Sequence, residues 1–142
     1  MLKGEAFSYM IDFEEILEKN QNGVLATQDG DKVKTRVFQF LFAYGKKAYF
    51  CTSSDKYVFK RLQANPNVSF CVFSPDFSLV LSISGKVVFD DDLVLKAKAI
   101  FENPLIGRIH LQPNNPIFKL FYIDVEEVKP FNFAEGSKTY ND

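Results

Sequence analysis

Short apolar runs alternate with turn-forming clusters along the chain, and the apolar period switches between two residues and the spacing of a helix. Asp12 followed by Glu15 has the form of a capping box ahead of Ile16 and Leu17, which predicts a helix from about Asp12 to Asn20, ended by Asn22-Gly23. Gly23 to Gln28 is a short apolar strand, and Asp29-Gly30 is a hairpin signal. The return strand reads as one long run from Lys32 to Ala43. Its first half sets Val33, Thr35, Val37 and Gln39 against Lys34, Arg36, Phe38 and Phe40. Tyr44-Gly45 then turns the chain into a strand over about 46–51. Val68 to Phe73 forms the next strand, broken by Ser74-Pro75-Asp76. From Ser78 to Phe89 apolar and small residues alternate, and Gly85 amid them predicts a bulge or a close approach by another backbone or a ligand. Asp90, Asp91 and Asp92 cap a helix carrying Leu93, Val94, Ala97, Ile100 and Phe101, which stops at Asn103-Pro104. Leu105 to Asn115 is weakly patterned, and Ile117 to Val125 is the last clear strand. The polar tail, about 131–142, is expected to fray.

About six strands and two or three short helices, joined mainly by turns, predict a mainly β protein with short helices. The sheet should be antiparallel and closed into a small barrel with helices at its rim, a single domain over 1–142. Ala48 to Pro66 breaks that economy with a strand, a turn and a helix. The turn runs through Thr52, Ser53, Ser54 and Asp55, with Ser54 or Asp55 as N-cap, and Val58, Phe59 and Leu62 recur at helical spacing. Pro66 disfavours the α conformation at Asn65 and ends the helix. The first helical turn leaves N–H groups unpaired and carries partial positive charge. Hydroxyls from Thr52, Ser53 and Ser54 and the ammonium of Lys56 surround that point, which describes a phosphate site. A capped helix with a solvated lysine is the plainer reading of the same residues. Arg36 joins the site if its strand lies beside 46–51, pairing a planar fork with a compact charge on one dianion. Otherwise it is an exposed strand arginine beside Lys32 and Lys34.

Composition narrows the classes. The chain has 142 residues, 46% hydrophobic and 25% charged, with a net charge of −1, so no global field draws nucleic acid or an anionic membrane. Sixteen Phe and six Tyr with no Trp point to a phenylalanine-rich core of strands. Cys51 and Cys71 sit in strand-like runs without a CxxC, and His110 is the single histidine, which is too few ligands for a zinc site. No signal peptide or long apolar run is legible, so a cytoplasmic protein without a membrane span is expected. His110, between Ile109 and Leu111, reads either as a proton donor to a substrate or as a structural histidine.

The order Gly23-Val-Leu-Ala-Thr27, Asp29-Gly30, Thr35-Arg-Val-Phe-Gln39, Tyr49-Phe-Cys-Thr-Ser53, Lys56, Leu62, Asn65-Pro66 with Val68, then Ser84-Gly-Lys-Val-Val88 resembles the flavin-binding split barrels related to pyridoxamine 5′-phosphate oxidase. The resemblance runs from about residue 12 to 128 and looks closest to the short nitroimidazole-resistance-like (Nim-like) branch. It implies a homodimer with FMN in a groove between subunits, and an oxidoreductase that reduces a small planar acceptor. Arg36 and Lys56 match the residues that hold the FMN phosphate, and Thr52 and Ser53 the strand-end residues at the phosphate or ribityl chain. Val37, Phe38 and Gln39 match the segment bordering the isoalloxazine. Cys51 stands where many Nim-like members place a histidine. The C-terminal segment Val128 to Phe133 lacks the Trp- and Arg-containing substrate segment of pyridoxamine phosphate oxidases. A non-catalytic flavin carrier or sensor is the alternative function, and a deazaflavin or haem the alternative ligand.

Overall fold

Gly30, at φ +63°, makes the first hairpin of the computed structural model, which describes residues 13–110 and 112–132. A short helix, α1 (Phe13–Lys19), buries Phe13 and Leu17 and leads into β1 (Asn22–Asp29). Asp12, the expected cap of α1, lies outside the described residues. β1 pairs with β2 (Lys32–Gln39) in register from Asn22↔Gln39 to Asp29↔Lys32. The long return strand expected over Lys32 to Ala43 is in fact two strands. It breaks at Phe40 and Leu41 before β3 (Phe42–Tyr44), because Phe40 turns its amide to the Gln21 carbonyl and Leu41 donates to the Tyr49 carbonyl. Nor does its alternation bury one face: Lys32 to Val37 are all exposed, and only Phe38 goes inward.

β4 (Lys47–Ser53), α2 (Tyr57–Ala64), β5 (Asn67–Phe73), β6 (Val80–Asp90), α3 (Leu93–Glu102), α4 (Pro104–His110) and β7 (Phe118–Phe131) complete the chain. The sheet has seven strands, one more than the pattern suggests, in the order β2-β1-β5-β6-β7-β4-β3, all antiparallel. Its two edge strands, β2 and β3, are consecutive in the chain and joined only by Phe40-Leu41. So short a link forces the sheet to curl until its edges meet, which makes the split barrel. β4 and β5 are not sheet neighbours, yet the Phe50 and Phe70 rings meet with centroids 4.7 Å apart across the interior. Phe38, Phe40, Phe50, Phe70 and Phe121 form that core, as the phenylalanine content implied.

Gly85 marks the register shift between Ser84 and Gly85, and a Cβ there would overlap the Asp124 carbonyl oxygen of β7. The expected bulge and close backbone approach are one feature. Asp92 caps α3, its Oδ1 accepting from the Val94 and Leu95 amides at 2.8 and 3.0 Å. Asp90 accepts the Tyr49 hydroxyl at 2.8 Å, and burial together with that carboxylate keeps the phenol protonated far above the usual tyrosine range. The acidic run is thus occupied as a cap and a buttress.

Two further expectations are corrected. Leu105 to Asn115 is not weakly structured throughout, since α4 begins at Pro104, whose fixed φ suits a first helical position. β7 does not stop at Val125 but pairs with β6 as far as Val80↔Phe131. The fraying tail expected over 131–142 falls outside the described residues beyond Asn132. Among the described residues no helix is long and apolar enough to cross a membrane.

Candidate functional site

β4 delivers the site. Its last residues, Cys51, Thr52 and Ser53, pair with Leu120, Lys119 and Phe118 of β7 and so are fixed by a ladder rather than carried on a loop. The chain then turns tightly: the Ser54 amide donates to the Ile117 carbonyl at 2.9 Å and the Lys56 amide to the Ser53 carbonyl at 3.1 Å. That turn consumes Ser54 and Asp55, so neither caps α2. The N-cap is Lys56, in extended backbone and without a side-chain cap hydrogen bond. Asn65 closes the helix as expected, and Val58 and Leu62 anchor it to the core.

A cavity of about 250 Å³ opens at this corner. Its walls carry Arg36, Val37, Phe38 and Gln39 from the end of β2, Cys51, Thr52 and Ser53 from the end of β4, and Lys56 from the turn. These eight residues, all expected at the site, therefore share one concavity, whereas Ser54, whose hydroxyl was expected beside them, is not among its lining residues. The route differs from the one expected, because β2 pairs only with β1 and is not hydrogen-bonded to β4. Barrel closure brings the two strand ends together, through the Phe40-Leu41 link and the edge-to-face packing of Phe38 on Phe50 and Phe121. Sequence reasoning missed Ile106 and Ile109 of α4, which complete the wall. Pro104 at a helix start and the i, i+3 spacing of the two isoleucines were the available signals.

The cavity is polar at one end and apolar at the other. Arg36 and Lys56 are exposed, and neither belongs to the ion pairs formed among the described residues. Thr52 and Ser53 are buried, yet among the described residues neither hydroxyl has a hydrogen-bond partner. Buried hydroxyls are nearly always satisfied, and leaving one unmet costs about 1–3 kcal/mol. Two such groups at the foot of a cation-rimmed cavity are arranged for an acceptor-rich ligand. Val37, Phe38, Ile106 and Ile109 supply the other end, with Val37 72% exposed at the mouth.

Among the described residues lining this cavity there is no carboxylate or imidazole. Cys51 is only half-buried as a residue, but its side chain packs against the cluster of Tyr49, Leu120 and Ile100, and burial pushes its thiol up to about 12. A neutral thiol is a poor nucleophile. Because the folded value lies above the ordinary one near 9, this group's contribution to stability is complete below pH 9 and drains away as pH rises towards 12. Maleimide labelling of the native protein at pH 7.5 is expected to leave Cys51 unmodified while the urea-unfolded chain labels fully; prompt native labelling of Cys51 would disprove the buried, neutral state. His110 ends α4, and its side chain lies outside the described residues.

Comparison with solved structures gives the same fold at low identity. A NimC/NimA family protein from Clostridium acetobutylicum superposes with a TM-score of 0.75 at 24% identity, over 92% of this chain and 96% of that one. A general stress FMN/FAD binding protein from Xanthomonas citri gives 0.66 at 21%, over 84% and 85%. An F420 reductase gives 0.64 at 20%, over 83% and 96%. No curated protein matches the chain. The family model for pyridoxamine 5′-phosphate oxidase matches residues 11–132, which include every described residue, so the chain belongs to the pyridoxamine 5′-phosphate oxidase family.

Proposed function

We propose that this protein binds FMN at the β2–β4 corner and serves as an oxidoreductase towards a small planar acceptor. The observation that carries this reading is the meeting of two cations, Arg36 and Lys56, with the buried hydroxyls of Thr52 and Ser53, none of which has an ion-pair or hydrogen-bond partner on its side chain among the described residues. A phosphate monoester and a polyol chain meet both needs: the cations balance the dianion, and the hydroxyls donate to its oxygens. Val37, Phe38 and Gln39 would border the flavin ring and Cys51 would lie against it as packing. The isoalloxazine, when bound, supplies the redox chemistry, while the chain supplies position, charge and exclusion of water. The FMN/FAD binding protein among the structural neighbours supports a flavin, and the F420 reductase keeps a deazaflavin as the alternative.

A cavity of about 250 Å³ is too small for such a ligand alone. Small-molecule sites usually run to roughly 300–1,000 Å³ and bury most of the ligand. The exposed Val37 at its mouth is a surface for a second subunit to cover, so we infer a homodimer that completes the groove. A flavin carrier or sensor without a substrate of its own stands as the second reading, because none of the described residues lining the cavity is a carboxylate. A cytoplasmic setting is part of the proposal.

The visible spectrum of freshly purified protein is the direct test. Flavin absorption, with about one FMN per subunit released on heating, is the expected result. A colourless protein that does not take up added FMN would overturn the flavin reading. Turnover of a panel of acceptors by the loaded protein separates the reductase from the carrier.

A further inference from the structure

A second and larger concavity lies beside the first and shares one residue with it. It measures about 820 Å³ and runs between the β1–β2 hairpin and the outer face of α2. Lys34 and Arg36 project from β2, while Tyr57, Lys60 and Arg61 come from α2 at the i, i+3, i+4 spacing that sets them on one helix face. Against these four cations stands one carboxylate, Asp29. In a chain whose net charge is −1, that concentration is local and not a consequence of composition.

The floor is braced. Arg61 Nε donates to the buried Thr27 Oγ1 at 3.0 Å, and Asn65 Nδ2 donates to Gln28 Oε1, so helix and hairpin hold each other at a set distance. Only one of the five guanidinium N–H groups of Arg61 is used by that bond. Lys34 and Lys60 are exposed and, like Arg36, form no ion pair among the described residues. Tyr57 is 80% exposed, a large aromatic ring left in water beside the cations. Such a ring is a platform for a planar base, which stacks on it whatever its hydrogen-bonding edge.

We propose that this groove binds an adenosine diphosphate group, with the pyrophosphate held by Lys34, Arg36 and Lys60 and the adenine stacked on Tyr57. The volume suits a nucleotide, falling inside the roughly 300–1,000 Å³ of small-molecule sites. Because Arg36 lines both cavities, a phosphate at Arg36 is a point from which one ligand extends either way. The ADP group therefore has two possible sources: the adenylate half of a flavin dinucleotide, or a separate nicotinamide dinucleotide bringing electrons. The assignment of the groove stands on its own residues, and only the link between the cavities rests on the flavin reading.

Calorimetric titration of the full chain, both as purified and FMN-loaded, with ADP, adenosine and inorganic phosphate tests it. ADP is expected to bind at least roughly tenfold more tightly than adenosine or phosphate alone, since each fragment makes only part of the contacts. Lys34→Glu and Lys60→Glu, both at exposed positions, should each weaken ADP roughly ten- to a hundredfold and leave FMN affinity unchanged. Tyr57→Ala should lower ADP affinity while leaving phosphate as in the wild type. FAD binding more tightly than FMN, with the excess lost in Lys60→Glu, would support the flavin-dinucleotide source; NADPH displacing ADP from FMN-loaded protein would support the separate donor. ADP failing to bind at millimolar concentration, or binding no better than phosphate, overturns the proposal. Failure of FMN with ADP still bound would remove the flavin reading and leave the groove.

Discussion

Replacing Phe50 with alanine is expected to destabilise the protein by about 3–5 kcal/mol, the range for emptying a fully buried phenylalanine site. Phe50 has no exposed surface and lies within 6.4 Å, centroid to centroid, of Phe38, Phe40, Phe70 and Phe121. Phe121 sits opposite Phe50 in the β4–β7 ladder, but the other three rings come from β2, the β2–β3 link and β5, none of which is joined to β4 by a ladder. The hole left by alanine is lined by rings that pack on one another, and these cannot collapse without moving strands. In urea, with a slope of ~2 kcal/mol per molar, the unfolding midpoint should fall by roughly 2 M. Val33→Ala, at a position 70% exposed, serves as the control and should stay within about 0.5 kcal/mol of wild type. A Phe50→Ala midpoint matching that control would mean the barrel core is held some other way.

The same interior explains what was legible beforehand. A phenylalanine-rich strand pattern without tryptophan announced an aromatic barrel core, and the local devices could be read directly: the Asp29-Gly30 turn, the Asp92 cap and the Gly85 bulge. Each depends on a few neighbouring residues. What escaped depends on residues far apart in the chain. Lys32 to Ala43 reads as one strand because nothing within it marks Phe40; the break arises where its amide meets the Gln21 carbonyl. β7 reads as ending at Val125, but pairing with β6 carries it through Pro130, opposite Leu81. Ser54 and Asp55 have the chemistry of caps, yet the Ser53–Lys56 turn uses them first.

The site was legible for a different reason. Strand ends and turns are local, so Arg36, Thr52, Ser53, Ser54 and Lys56 could be named from their own chemistry, whereas Val37, Phe38, Gln39 and Cys51 were named through the resemblance to the flavin-binding split barrels. That Arg36 to Gln39, Cys51 to Ser53 and Lys56 face one cavity could not be deduced, because β2 and β4 are not sheet partners and meet only through closure. Ile106 and Ile109 were missed on the same grounds: their place depends on where α4 docks. Lys60 and Arg61, which the sequence did not mark, become part of a groove only once the hairpin stands opposite them.

Removing either cation at the β2–β4 corner should separate phosphate recognition from flavin recognition. Arg36→Ala and Lys56→Ala are each expected to weaken FMN by about 1.5–3 kcal/mol, the range for hydrogen bonds to charged groups, or roughly 10- to 150-fold. Both side chains are exposed and outside the core, so neither change should lower the unfolding midpoint measurably. Riboflavin, which lacks the phosphate, should bind wild type and both variants alike. Equal losses for FMN and riboflavin would point instead to a distorted cavity. The double variant should lose less than the sum, because two cations on one dianion are coupled. Added salt should weaken FMN in the wild type more than in the variants, since screening acts on the charges that remain. If FMN bound both single variants as it binds the wild type, Arg36 and Lys56 would be solvated cations beside a cavity. The unmet hydroxyls of Thr52 and Ser53 would then need another partner.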